Sequence, residues 1–410
     1  MRKCIIMVAF LLATSTTIYA GGYQVSLHGQ RQLGMGLIGT SLALDASATF
    51  NNPGALAMMP EQLSIVGGIN GVFGSTAYQM ETPSVYQAKT DNPPGTPFHF
   101  YVAGMLTDRL AGGIAVNTPY GNSLKWEDGW AGRFLIQEIS MRAITIQPTL
   151  SFRLTDMLSL GAGFVYAIGS VDLERALPVE GPGGEGQLNI DGNATNYGFN
   201  AGLQFAHPLG FSAGLSYRSK IMMEIENGDA LFSNIPSSLA SEFPAENRVD
   251  VSLPLPANLD FGISYQVTPD LLLGMALHYV FWSEYEELVF DFNENTSSLP
   301  DSYNKRDYSN TLIVRAGGEY RVTPAFYLRA GGYFDPTPVN SDYFSPETPS
   351  LDNLAFTGGA SFMPSSNLSI DASLLYIIGM EEDMRYTPEN FNGTYSSRII
   401  IPGIGITYQF

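Results

Sequence analysis

Arg315 and Arg329 are the residues whose spacing best suits binding chemistry. Period-two alternation over 306–322 sets Leu312, Val314, Ala316 and Tyr320 on one face and Arg315, Glu319 and Arg321 on the other. In the next segment Phe326, Leu328 and Ala330 leave Arg329 on the second face. A sheltered guanidinium can meet a ligand carboxylate in a bidentate pair, or it can brace neighbouring carboxylates. Arg153, Arg218, Asp260 and Asp371 fall on the same kind of face, so both roles stay open. No catalytic set accompanies them. His28, His99, His207 and His278 lack metal-type spacing, and there is no Gly-x-Ser-x-Gly elbow, phosphate loop or His-Glu-x-x-His. The expectation is a binding protein that is not an enzyme and uses no cofactor or metal.

The elements that must hold these residues are strands. The chain has 410 residues, of which 14% are charged, 45% hydrophobic and 12% aromatic. Soluble domains carry about 25% charge. Its 20 basic against 39 acidic residues would repel a phosphate backbone, which argues against nucleic acid. Residues 1–20 read as an export signal: Arg2 and Lys3 lead an apolar stretch from Cys4 to Ala13, and Ala20 is a fitting cut site. Cleavage there removes Cys4, the one cysteine.

Beyond the signal no run is long and apolar enough for a transmembrane helix. Alternation recurs instead. Leu158, Leu160, Ala162, Phe164, Tyr166 and Ile168 share one face, while Ser159, Gly161, Gly163, Val165, Ala167 and Gly169 share the other. A bulky face repeated on strand after strand suits lipid, and small residues suit a crowded interior. Fourteen such segments fall near 62–74, 97–107, 110–120, 133–153, 157–174, 193–206, 210–226, 248–267, 270–290, 306–322, 325–335, 351–363, 367–380 and 395–410. Tight turns such as Thr107-Asp108-Arg109, Thr268-Pro269-Asp270 and Thr323-Pro324-Ala325 alternate with longer polar connections. Short periplasmic turns and long external loops predict that alternation, whereas a soluble sandwich has no reason for it. The expected fold is all-β, a 14-stranded antiparallel transmembrane barrel over 61–410, ending on Phe410.

Residues 21–60 break the pattern. Their low polarity suits a plug inside the barrel mouth better than a periplasmic tail, with short helical turns at 41–48 and 53–58. The segment carries Gly22-Tyr23-Gln24-Val25, Leu33-Gly34-Met35-Gly36 and Asn52-Pro53-Gly54-Ala55-Leu56. Further along come Asn117-Thr118-Pro119-Tyr120-Gly121, Trp130-Ala131-Gly132-Arg133, Leu253-Pro254-Leu255-Pro256 and Asp335-Pro336-Thr337-Pro338-Val339. In these blocks the chain resembles the FadL/TodX family of outer-membrane transporters for long-chain fatty acids and aromatic hydrocarbons. The family's usual hatch triplet is Asn-Pro-Ala, so Gly54 is expected to loosen the backbone after Pro53. The resemblance implies a barrel plugged by a hatch at 21–60, with Asn52, Pro53 and Gly54 at its centre. It also implies passive uptake of a hydrophobic small molecule through a lateral wall opening.

Two further sites follow from residue type. Pro119 lacks a ladder donor and Gly121 a side chain, which favours a break in the sheet and a side opening there. Leu124, Trp126, Trp130, Leu177 and Val179 are expected to cluster outside the wall as an apolar groove that captures substrate. The rival reading is a general hydrophilic porin, against which the apolar plug argues. The expected setting is the bacterial outer membrane, as a monomer among outer-membrane lipid and lipopolysaccharide, assembled there by the outer-membrane assembly machinery. No nucleic-acid partner is expected.

Overall fold

In the computed structural model, which describes residues 22–410, antiparallel strands close into a ring. The signal at 1–20 lies outside the described residues. Fourteen strands make the wall. In chain order they are Leu63–Asn70, Phe98–Met105, Leu110–Lys125, Glu138–Arg153, Leu158–Gly181, Gly184–Ala206 and Phe211–Arg218. The circuit continues with Asn258–Thr268, Leu271–Val280, Thr311–Thr323, Phe326–Asp335, Asn353–Ser365, Leu368–Tyr386 and Phe391–Gln409. Each pairs with the next, and the first pairs with the last, Ile65 opposite Tyr408. Closure removes the free edges of an open sheet, so strand pairs with strand around the ring, save for one stretch between the second and third strands.

Alternation sorts the two faces as the side chains demand. Leu160, Phe164, Tyr166 and Ile168 stand exposed on the outside, while Ser159, Val165 and Ala167 are buried. Exposed Leu273, Met275 and Leu277 likewise alternate with buried Ala276, His278 and Val280. The short turns share a device that residue composition alone underplays. In Thr107, Thr155 and Thr268 the hydroxyl accepts from the two amides at the far side of the turn, and Thr323 accepts from Ala325. A local side-chain acceptor fixes each hairpin without a long loop.

Four expected strands are not continuous. The first stops at Asn70 and resumes as Phe73–Met80. Those expected at 210–226, 248–267 and 270–290 break near 219–220, 256–257 and 281–286. Pro256, which cannot donate, sits at one of these breaks. The severed outer pieces Ile221–Ser233, Glu246–Leu255, Glu287–Phe292 and Ser302–Lys305 pair in sequence, starting from the outer end of Gly184–Ala206. They form a sheet extending from the long-loop end of the wall. Short connections lie at the opposite end, which fits short periplasmic turns.

Residues 22–60 contact inward-facing wall residues around the whole ring. Gln30 donates to Asn70, Arg31 to Glu319, Asn52 to Gln204 and the Ala57 amide to Ser151. The helical turns fall at Gln30–Gly34, Ala48–Asn51 and Pro53–Met58. Only the last matches the sequence expectation, because wall contacts rather than helix propensity satisfy this segment.

Candidate transport site: a lumen cavity and a gap in the wall

The third wall strand carries the decisive irregularity. Asn117 faces Thr145 on the next strand, but Tyr120 faces Ala143, so one extra residue bulges at Thr118–Pro119. A bulge reverses the side-chain alternation beyond it. Below it Ala111, Ala115 and Asn117 are buried; above it Tyr120, Leu124 and Trp126 are.

The other edge of this strand loses its neighbour at the same place. Pairing with the second strand ends at His99–Asn117, with Thr118 and Phe98 exchanging side-chain bonds. It resumes only where the Asp91 amide donates to the Lys125 carbonyl (2.8 Å) and the Lys125 amide to the Asn92 side chain (3.0 Å). Between these closures lie 93–97 on one side and 119–123 on the other. The first edge reads Pro93-Pro94-Gly95-Thr96-Pro97, with three prolines that cannot donate. Gly95 is bonded to Val72 instead. The edges therefore do not zip together. Sequence reasoning singled out Pro119 and Gly121 but missed Pro93, Pro94 and Pro97, although that density of prolines beside a strand was a readable signal.

From inside, the amino-terminal segment takes the vacant edge. The Val25 amide donates to the Pro119 carbonyl (2.8 Å), and the Gly121 amide donates to the Tyr23 carbonyl (3.1 Å). Behind it lies a cavity of about 570 Å³. Its walls include Leu27, Leu37, Leu375, Ile377 and Ile401, with Arg315, Tyr333 and Asp335 among its polar lining. The same cavity is lined by Pro93–Pro97 and by Ser140 and Arg142 of the fourth strand. Ser140 and Arg142 share the outward parity of exposed Ile146 and Leu150, so the cavity reaches through the gap to the outer face.

The two arginines part company here. Arg329 donates to Glu319 (2.6 Å), lies 3.6 Å from Asp371, and shares Glu319 with Arg31 at 2.6 Å. It braces the amino-terminal segment against the wall and does not line the cavity. Arg315 does line it. It is buried, yet among the described residues its hydrogen bonds are two of 3.4 Å, to the Leu37 carbonyl and the Ser26 hydroxyl, and its Nε has no hydrogen-bond partner there.

Asn52, Pro53 and Gly54 sit against the fourth to sixth strands. The Asn52 amide donates to the carbonyls of Thr40 (2.7 Å) and Leu203 (3.0 Å), and its oxygen accepts from the Gly54 amide (3.0 Å). A Cβ at Gly54 would stand 2.7 Å from the Gly202 carbonyl oxygen. Glycine there permits close packing, which is a correction to the expected loosening.

The apolar groove also needs correction. Trp126 and Trp130 are buried, stacked at 4.1 Å with an 11° tilt, among Tyr78, Phe391 and Tyr395. Leu124 is turned inward by the bulge and lines the cavity. Leu177 is buried and Val179 partly so, both on the outer part of the fifth strand rather than at the cavity. The expected exposed groove therefore does not form from these five residues. The connection 336–352 covers the cavity instead, with Thr348, Pro349, Ser350 and Leu351 in its lining. The Trp126 indole donates to the Pro346 carbonyl (3.1 Å), and Arg306 pairs with Glu347.

At the foot of that connection the Asp352 carboxyl accepts from the Thr337 amide (3.1 Å). Burial first, and then the charges of Glu382 and Asp335, push its pKa up from 3.8 to about 7. Folding thus favours the protonated acid. The stability it contributes is complete below the unfolded value and is lost as pH rises through about 7. Hydrogen exchange at Thr337, corrected for intrinsic rate, should quicken progressively between about pH 4 and about pH 7. A flat profile would remove Asp352 as a pH-sensitive fastening.

Comparison with known proteins places this geometry. The family model described as outer membrane protein transport protein (OMPP1/FadL/TodX) matches residues 11–410. Outer membrane protein P1 of Haemophilus influenzae is 23% identical over 461 residues, covering 98% of both chains. The long-chain fatty acid transport protein of Escherichia coli K12 is 21% identical, covering 97% of this chain and 96% of that one. Among solved structures, a Pseudomonas aeruginosa FadL homologue superposes with a TM-score of 0.84 at 21% identity, over 95% of this chain and 100% of that one. The Ralstonia pickettii toluene transporter TbuX gives 0.72 at 19% identity, over 93% and 98%.

Proposed function

This chain belongs to the OMPP1/FadL/TodX family of outer-membrane transport proteins, and from that premise we propose that it moves amphiphilic hydrocarbons, long-chain fatty acids foremost, sideways through its own wall. The family supports an outer-membrane barrel that transports hydrophobic compounds. The substrate and the lateral route are the proposal. Residues 21–60 act in it as a hatch, a role supported by their contacts around the ring.

One observation carries the route: a single cavity is lined both by buried lumen residues and by outward-facing Ser140 and Arg142 across an unpaired stretch of wall. A substrate using that gap stays out of the periplasm. Transfer of a sixteen-carbon chain into water would cost about 12 kcal/mol, at about 0.8 kcal/mol per CH₂. The favoured substrate follows from Arg315. A cavity with an aliphatic wall of Leu27, Leu37, Leu375, Ile377 and Ile401 and a buried, poorly satisfied guanidinium suits a long alkyl chain with a carboxylate at one end. The test is uptake of labelled palmitate and several aromatic hydrocarbons by a transporter-null strain expressing the protein at the surface. No gain for any apolar compound would sink the reading.

Arg315 and Arg329 should then fail differently. Arg315→Gln should weaken palmitate binding about tenfold or more, as loss of a charged hydrogen bond does, while a neutral hydrocarbon binds as before. Arg329→Gln should leave binding intact but cost about 3 kcal/mol of stability, because Glu319 and Asp371 lose a buried partner. Ligand titration and thermal unfolding on both variants separate the roles. The reverse pattern would exchange them.

A further inference from the structure

Arg142 faces outward on the fourth wall strand at the level where lipid-facing residues end. Its strand runs Arg142, Ile144, Ile146 along the outer face, and the next strand sets Ser170, Ile168 and Tyr166 opposite them. Ile146, Ile168 and Tyr166 are exposed to the lipid zone, so Arg142 and Ser170 begin the polar boundary. On its other side Arg142 lies opposite Gly121, at the gap. Two cations of the same outer region are paired: Lys125 with Glu138 at 2.6 Å and Arg133 with Glu185 at 2.7 Å. The Arg142 side chain has no hydrogen bond or ion pair among the described residues, in a chain of net charge −19. It also fronts the cavity that Arg315 lines from within.

We propose that Arg142 is an oxyanion-binding position on the outer lip of the gap, which holds an anionic head group at the membrane boundary. The inference rests on the lateral route. A guanidinium stays charged at every working pH and grips carboxylate or phosphate through two parallel bonds. The two arginines thus give the head group of an amphiphile a cation at either end of its passage, and its alkyl chain can slide into lipid while the charge never enters the apolar layer. The anion held there is either the carboxylate of the departing substrate or the phosphate of a neighbouring lipopolysaccharide. Both are met by the same chemistry.

The test uses the full-length mature protein, as wild type, Arg142→Gln and Arg142→Lys, in vesicles made with or without lipopolysaccharide. Transport of palmitate is compared with that of hexadecanol, at a pH well above the carboxylate range. Heat-modifiable gel mobility checks that each barrel is folded. With a substrate carboxylate at the site, Arg142→Gln slows palmitate about fivefold in both vesicle types, the size of an exposed ion pair. Hexadecanol is unaffected, and Arg142→Lys recovers part of the loss. With a lipid phosphate at the site, both substrates slow together, and only where lipopolysaccharide is present. Unchanged transport in every arm overturns the proposal. So does an equal loss for both substrates in both vesicle types, which would mark a structural role. Failure of wild type to move either compound would count against the transport reading itself, not against Arg142.

Discussion

A chain carrying Pro119→Val and Gly121→Val takes up labelled palmitate at least about tenfold more slowly than wild type at equal surface level, the loss expected when a passage narrows by several methyl groups. Valine at 119 restores an amide donor on the edge that faces 93–97, where prolines still offer carbonyls as acceptors. At 121 the space is tighter. A Cβ would lie 3.2 Å from the Met141 carbonyl oxygen and 3.9 Å from Val25. One added carbon is tolerable, but two further methyls must project into the gap. Palmitate binding in the cavity should persist, since Arg315 and the apolar lining are untouched. Equal uptake by the double variant would rule out passage at 119–121 and return a straight channel to first place.

Deleting residues 22–55 should have the second large effect, on polar solutes instead of apolar ones. The wall ladders are made by strands beginning at Leu63, so the ring keeps its hydrogen bonds. What is lost is packing: Leu33, Met35, Ile38 and Ala55 are wholly or almost wholly buried in the interior. Wall groups such as Gln204, Arg218 and Glu319, which now bond to that segment, would face water. A barrel of this size with polar inward groups and no plug should conduct ions as open porins do, with leakage rising by about an order of magnitude or more. Single-channel conductance and small-sugar efflux are the measurements, made on preparations whose heat-modifiable mobility shows a folded barrel. Unchanged leakage would mean that 22–55 does not obstruct the lumen, and the hatch role would be withdrawn.

Parts of this molecule are legible without coordinates because they follow from a local rule. A strand between lipid and a filled interior must alternate, so the outward set Leu158, Leu160, Phe164, Tyr166 and Ile168 could be read from spacing alone. The inward placement of Arg315, Glu319 and Arg329 came from the same parity. Parity fails where the ladder slips. Trp126 was expected outside as part of a connection at 121–132; the strand instead runs on to Lys125, and the bulge at Thr118–Pro119 reverses the faces of that outer part. Arg321 keeps the inward register opposite Tyr327, ahead of the slip between Arg321 and Thr323, but at the strand's end the inward face is open to water, and it pairs there with Asp270 at 2.6 Å.

The sequence by itself determined the closed β-barrel class, the even strand number and the two-sided wall, since each is imposed by period-two patterning in a medium that supplies no hydrogen bonds. It also marked Pro119 and Gly121 as a weak point, because a missing donor and a missing side chain are properties of the residues themselves. Only the tertiary structure decided that Pro93–Pro97 forms the other edge of that gap, that Tyr23–Val25 lies across it, and that Arg142 and Arg315 front one cavity. It also separated Arg315 from Arg329, identical in type and parity, by placing Glu319, Asp371 and Arg31 around one and open cavity beside the other. These are relations between residues tens to hundreds of positions apart, fixed by ring closure and by the packing of 22–60 within it. Local spacing carries no term for them.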